Sequence, residues 1–380
     1  MTSRPSLGPP RSGRKPGRVL AAISTRFATG TVIVDNLERR DGRHETVAVM
    51  RAKPRPLPPQ LGDAFTVRSG TAFGFLRGQL RGSSLEKPFF GVRVRAGAFI
   101  DDASEDRDDS PYAVQRRSRV LRAREFRPRM RGQHFFSHET AASLWGAPLP
   151  LEWTDDGRLA GHEELGLHVS TIGSEALQRT GGVTRHRAQA HLATTCELDG
   201  MVVASPATTW AMLGSSLAVS ELVVLGDFLC RAWRPGVGRP NVGTAPISTR
   251  AALQAALDAG RRRGAARLRD ALTLIREDSW SPRESLVRFH LVTVGLPEPE
   301  LNIDVFDENG RFLGCVDMAY PAQKVAVEYH GFMHAQTWAH DVERVARLRA
   351  AGWIVIELTA SSLDDVQALV TRVAAALRRR

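Results

Sequence analysis

"VDMAYPAQKVAVEYHG", residues 316–331, holds two apolar runs separated by a proline turn, with Asp317 in the first and Glu328 near the end of the second. Short runs of β-branched and aliphatic residues bounded by Pro and Gly read as strands, so the two acids are expected on neighbouring strands. Two carboxylates leaving adjacent strand ends can meet at one point. Burying both uncompensated is costly, and such a pair shares a proton or a cation. Mg²⁺ takes a few carboxylate oxygens together with water and phosphate, and a metal so held polarises a scissile phosphate and acidifies the attacking water. His330 lies two residues beyond Glu328 and shares its face if the strand continues. An imidazole titrating near neutrality can orient or deprotonate that water.

The surrounding sequence supplies the rest of a domain. "SPRESLVRFHLVTVG" (281–295) has Ser281 as a cap, Pro282 at the first helical position and Gly295 as a stop, which predicts a helix carrying Glu284 in its first turn. "LNIDVFD" alternates, "ENGR" is a hairpin turn, and "FLGCVDMAY" and "KVAVEY" are further strands. "TWAHDVERVARLRAAG" is a helix, "WIVIEL" a fourth strand and "SSLDDVQALVTRVAAAL" a last helix. The predicted order over 281–380 is α-β-β-β-α-β-α, with Glu284 a candidate third carboxylate beside Asp317 and Glu328.

Upstream the patterns change. Residues 1–54 are rich in Pro, Gly, Ser and Arg and read as a disordered basic tail; Met50 is an alternative start. Over 55–115, helical pieces followed by the extended run "PFFGVRVR" predict a winged helix-turn-helix, with Arg77 and Arg81 on one face of its second helix where they meet phosphates or solvent. An acidic loop, "DDASEDRDDS" (101–110), precedes eight arginines within 116–131, suited to a nucleic-acid backbone or to a solvated helix. Residues 116–247 read as a mixed α/β middle domain. Its His138 reads as a first-turn or capping residue and its Asp227 as structural. Residues 248–280 form a helical connector broken near Gly260 or Gly264.

The formal charge of +11 is uneven: residues 1–59 hold 12 Lys/Arg against 4 Asp/Glu, whereas residues 280–380 hold 11 against 13. Binding to a polyanion and chemistry on it are expected in different parts. Three scattered cysteines without a CxxC pair give neither a disulfide framework nor a zinc ribbon, which fits a reducing cytoplasm. The most apolar stretch, residues 215–233, contains Glu221 and Asp227 and is a poor membrane span. No G-x-S-x-G, P-loop or G-x-G-x-x-G pattern supports a serine hydrolase, NTPase or Rossmann reading. A zinc reading joins His330, His334 and His340, with Cys315 as a fourth ligand, at a loose H-x3-H-x5-H spacing.

"SPRES" with Glu284, "VDMAYP" with Asp317, "VAVEYHG" with Glu328, His334, "DVER" with Asp341 and Arg344, and "AGWIVIEL" together resemble the Vsr-like branch of the PD-(D/E)XK nucleases. Upstream, "LRGQLRGSSLEKPFFGVRV", "SHETAASLWGAPLP" and "SPATTWAML" are similar to the AbiEi-type antitoxin or regulator region preceding such domains in actinobacterial families. The resemblance implies a restriction-endonuclease-like C-terminal fold in a mixed α/β protein and a DNA partner. It also implies Mg²⁺ or Mn²⁺ on Asp317 and Glu328, His330 and Glu284 at the cut site, and His334 and Asp341 in support. Arg344 pairs with Asp341 or reaches a phosphate. Where the superfamily carries Lys, and these relatives Asp, this chain has His330, which favours Mn²⁺ over Mg²⁺. Two functions follow as expectations: a metal-dependent DNA endonuclease, or a non-catalytic DNA-binding regulator or antitoxin on a degenerate nuclease fold. A toxin partner and a homodimer are both left open.

Overall fold

After Ser281 the chain forms α1 (Pro282–Thr293), β1 (Glu300–Phe306), β2 (Phe312–Tyr320), β3 (Val325–Tyr329), α2 (Ala335–Ala350), β4 (Ile354–Leu358) and α3 (Val366–Arg378), the order its periodicities predict. Ser281 caps α1 by accepting from the Glu284 amide at 3.2 Å, and Pro282 starts the helix. The four strands make one sheet in the order β1-β2-β3-β4, antiparallel except for the parallel β3–β4 pair. Strand alternation then sorts the side chains. Met318, Val325, Val327 and Ile356 pack with Val287 and Leu291 of α1 and Leu369 and Val373 of α3, while Ala319 and Ala326 pack with Leu348 of α2. Each fully buried Leu or Val in these layers contributes about 1.5–3 kcal/mol by leaving water.

In this computed structural model the described residues are 56–99, 108–177, 179–237, 239, 241–330 and 335–379, together with the backbone pairing of Phe27–Ala28 with Thr31–Val32; for 335–339 the backbone alone is described. The rest of the basic tail, most of the acidic loop and His334 lie outside them. Among the described residues the protein is mixed α/β, and no helix is long and apolar enough to cross a membrane.

The middle of the chain builds a five-stranded sheet in the spatial order Val183–Ala188, Leu167–Ile172, His134–Phe136, Met201–Ala204, Thr195–Leu198. Beside it, helices Pro206–Leu213, Val219–Cys230, Arg250–Asp258 and Ala265–Leu274 share a core around Trp210, Leu213, Leu225, Leu253 and Leu268. The last two are the helical pair predicted over 248–275, and they pack into that core. Gly264 breaks the pair at φ +75°, and a Cβ there would fall inside the Gly214 carbonyl, so only glycine fits.

Asp227 has the structural role expected of it. Its carboxylate accepts from Arg288 Nη2 of α1 at 2.8 Å and from the Arg276 amide at 2.7 Å, and the Asp227 and Arg288 side chains are 1% and 0% exposed. This pair ties the helical core to the C-terminal sheet.

The amino-terminal region differs from the reading of its sequence. Helix Val67–Ala72 is followed by a turn and a single 3-10 turn, Gln79–Arg81, instead of a second helix, and a three-stranded sheet of Ala64–Thr66, Val92–Arg95 and Leu85–Glu86 completes it. Gly74 and Gly78 within five residues explain the loss of the helix. Arg77 and Arg81 are therefore not neighbours on one helical face, although both are exposed.

Candidate functional site

The register brings the two acids of the opening stretch side by side. Met318 of β2 pairs with Val327 of β3, so Asp317 and Glu328 occupy the next rung of the same antiparallel ladder. Asp317 Oδ2 accepts the Tyr329 amide at 2.8 Å, which fixes its carboxyl across the strand pair. Removal from water, then the charges of Glu284 and Glu328, pushes its pKa well above the ordinary carboxylate value. Glu328 is 2% exposed, and burial raises its pKa as well, against the opposing pull of Arg344.

Glu284 enters from the first turn of α1. Its Oε2 accepts the Trp280 amide and Asn302 Nδ2, each at 3.0 Å. Asn302 reaches it from β1 with φ +47°, a left-handed conformation that Asn tolerates better than most residues. The three carboxyls thus arrive from a helix and two strands, each anchored by a neutral donor or a guanidinium. Among the described residues no cation bonds directly to Asp317 or Glu284.

The cation at this site is Arg344 of α2. Its Nη1 donates to Glu328 Oε1 at 2.7 Å and to the Cys315 carbonyl at 3.2 Å, and its Nη2 lies 3.4 Å from Asp341 Oδ1. The Asp341 pairing is the one predicted from their spacing on one helical face; the Glu328 contact was not legible. Gly314 allows the approach, because a Cβ on it would meet the Arg344 alkyl stem at 2.7 Å.

His330 stands just past the strand, on the side of β4. The strand ends at Tyr329, the His330 amide donates to the Leu358 carbonyl at 2.7 Å, and Nε2 lies 3.3 Å from Glu357 Oε2 of β4. Glu357 stands in register beside Glu328 in the parallel β3–β4 pair, so the ring leans along the sheet toward β4. Of the loose zinc set, His340 is exposed, Cys315 Sγ lies 3.8 Å from Arg239 Nη2, and His334 is outside the described residues.

The arginine-rich segment forms helix Pro111–Phe126, and it is only in part a solvent face. Arg119 and Arg122 are 3% and 4% exposed; Arg119 pairs with Glu152 at 2.9 Å, and Arg122 lies over the Phe89 ring. Arg117 pairs with Asp109 at the end of the acidic loop, 3.2 Å away. Arg116, Arg127 and Arg131 remain exposed.

One cluster was missed entirely. His138, His168 and His186 meet on the middle sheet with one ligand nitrogen of each within 4.8 Å of the others. His138 is therefore neither a plain surface residue nor a cap: Ser137 is the N-cap residue and makes no side-chain capping bond, while the His138 ring stacks on His186 with centroids 3.8 Å apart. The only sequence signal was histidine in two alternating runs and at a helix start, at spacings that no local motif uses.

Comparison with known proteins adds little to this geometry. No protein family matches the sequence, and no solved structure matches it. Two uncharacterized proteins of Mycobacterium tuberculosis, one in strain CDC 1551 / Oshkosh and one in strain ATCC 25618 / H37Rv, are each 31% identical over 121 residues, 31% of this chain. The chain spans 43% of the length of each of these relatives.

Proposed function

We propose that the C-terminal unit is a divalent-metal-dependent DNA endonuclease of the Vsr-like PD-(D/E)XK class, hydrolysing phosphodiester bonds, with the basic upstream regions holding the DNA. The observation that carries this reading is the charge balance around Asp317: the charges of Glu284 and Glu328 act on its buried carboxyl, and among the described residues the one cation bonded to any of these three acids, Arg344 on Glu328, is also shared with Asp341. A doubly charged ion would relieve that imbalance, and the donors are carboxylate oxygens, which suit Mg²⁺ or Mn²⁺. Asp317 and Glu328 would hold the ion, which supplies charge to the phosphate and a more acidic water. The chain's own residues do the positioning: the Tyr329 amide orients Asp317, and Asn302 with the Trp280 amide orients Glu284. His330, just past Glu328 at the strand end, is the side chain read here as orienting the attacking water. The net charge of +11 and the exposed Arg77, Arg81, Arg116, Arg127 and Arg131 support a polyanionic partner.

A second reading is favoured by one observation, the 2.7 Å Arg344–Glu328 contact, which neutralises one ligand without any metal. It makes the domain a scaffold in a DNA-binding regulator or antitoxin, with a toxin or a second copy as partner. Plasmid nicking separates the two. The endonuclease reading requires that wild-type protein nick supercoiled DNA with Mg²⁺ or Mn²⁺ and that Asp317→Ala reduce the rate at least about 100-fold, more than loss of an outer-shell partner costs. Duplex binding that is equal with and without EDTA, together with no nicking in either metal, overturns it in favour of the regulator.

A further inference from the structure

The three histidines of the middle sheet arrive from three places. His168 lies in strand Leu167–Ile172, and His186 lies in the parallel neighbour Val183–Ala188, in register with Ser170. Both project from even-numbered positions of an in-register parallel pair, so they share a face. His138 follows strand His134–Phe136 and starts helix His138–Leu144 with φ +50°. A non-glycine residue in the left-handed region is strained and persists only where its surroundings over-determine it.

Those surroundings are specific. The Ser137 amide donates to the His168 carbonyl at 3.1 Å, and the His168 amide donates to Thr140 Oγ1 at 2.8 Å, which lock the helix start against the strand. His168 Nδ1 lies 3.0 Å from His186 Nε2, and His138 Nδ1 lies 3.0 Å from Ser137 Oγ. Glu139 Oε2 lies 3.2 Å from His168 Nδ1, yet among the described residues this buried oxygen has no hydrogen-bond partner. The Glu139 side chain is 21% exposed and that of His168 is 19%, so the cluster stands at the edge of the core with a path to solvent.

Three imidazoles and a carboxylate are a borderline-soft donor set, unlike the all-oxygen set around Asp317. A tetrahedral ion with bonds of about 2.0–2.1 Å places neighbouring ligand atoms about 3.3–3.4 Å apart. The 3.0 Å His168–His186 and 3.2 Å Glu139–His168 separations are already close to that edge. The 4.8 Å bound on the histidine nitrogens asks for a closure of about 1.5 Å at most, within the reach of ring rotation. Stacked cations would repel, and burial together with the neighbouring rings pushes the pKa of His138 down to about 3 and that of His186 to about 4, leaving lone pairs free at neutral pH.

We propose that His138, His168 and His186, with Glu139 beside them, form a site for a transition-metal ion of the zinc type. The ion would join two strands and a helix start, using residues 30 and 18 positions apart in the chain. The partly exposed cluster gives it a way in from solvent.

The test uses the full chain, stripped with chelator and titrated with ZnCl₂ by calorimetry, and with Co²⁺ read by visible absorption. The expected result is one ion per chain, a Co²⁺ spectrum of tetrahedral strength, and affinity at least about tenfold weaker in His168→Ala and in His186→Ala, as loss of even outer partners would give. Glu139→Gln is expected to weaken binding by about 10–100-fold, and His340→Ala to leave it unchanged. Absence of saturable one-to-one binding overturns the proposal. So does unchanged affinity in the His168 and His186 variants, or loss of the ion in His340→Ala, which assigns it to the C-terminal histidines. Should either alanine variant fail to fold, the stripped wild-type protein decides: its Tm rises with added ZnCl₂ if the site exists, and stays fixed if it does not.

Discussion

Arg344→Met asks what the guanidinium does for Glu328. Methionine keeps most of the alkyl stem that lies over Gly314 and removes only the charged fork. What is lost is a 2.7 Å contact to a carboxylate 2% exposed, and removing one partner of a buried pair costs about 3–5 kcal/mol. The cost is toward the lower end, because burial already raises the Glu328 pKa and the orphaned acid can take a proton. Urea unfolding read by tryptophan fluorescence measures it. The double variant Glu328→Gln/Arg344→Met leaves no buried charge at that pair and is expected to recover at least about 1 kcal/mol of the loss. If the corner also holds a divalent ion, Mn²⁺ at 100 times its Kd restores about 2.7 kcal/mol to Arg344→Met. A loss below about 1 kcal/mol in the single variant, or a double variant no more stable than the single, refutes the account of Arg344 as the charge partner of a buried Glu328.

Asp317→Asn is expected to stabilise the protein at neutral pH while removing metal-dependent chemistry, since the amide oxygen still accepts from Tyr329. A carboxyl whose folded pKa is raised above the ordinary 3.8 contributes stability that is full below that value and lost as pH rises through the folded pKa. The variant should therefore flatten the fall in stability above about pH 4; a neutral or destabilising effect at pH 7 in chemical unfolding contradicts the reasoning. Asp227→Ala leaves the Arg288 guanidinium, in a site with no exposure, with the Glu298 carboxylate at 3.3 Å as its remaining charge partner and should cost about 3 kcal/mol, with calorimetry showing less than about 1 kcal/mol if the pair is unimportant. Gly264→Ala combines a left-handed φ with a backbone clash against Gly214 and should lower stability by at least about 1–3 kcal/mol; a Tm unchanged from wild type shows that the helical pair can re-pack.

The C-terminal elements were legible because local chemistry announces them: a Ser-Pro helix start at 281, alternation through 301–307, and a glycine after each of two helices. The same local logic placed Asp317 beside Glu328, since two strands joined by a tight turn must pair. Arg344 was harder, because its spacing displays Asp341 as a partner while the longer reach to Glu328 depends on how α2 lies across the sheet. The strand "KVAVEY" ends at Tyr329 as read, and the contact of His330 with Glu357 of β4 had no local signal. The predicted second helix carrying Arg77 and Arg81 failed because Gly74 and Gly78 cost more than its apolar pattern supplies. The histidine trio lies at the far limit, since only the parallel register of two strands brings His168 to His186 and nothing local encodes that pairing.

The buried Asp227–Arg288 contact joins positions 61 residues apart. During synthesis the helix bearing the aspartate leaves the ribosome before the Arg288 guanidinium exists, so this contact forms only once translation has passed α1. A fragment ending before Arg288 never makes it. Any attempt to produce the upstream half alone should carry the first turns of α1 with it.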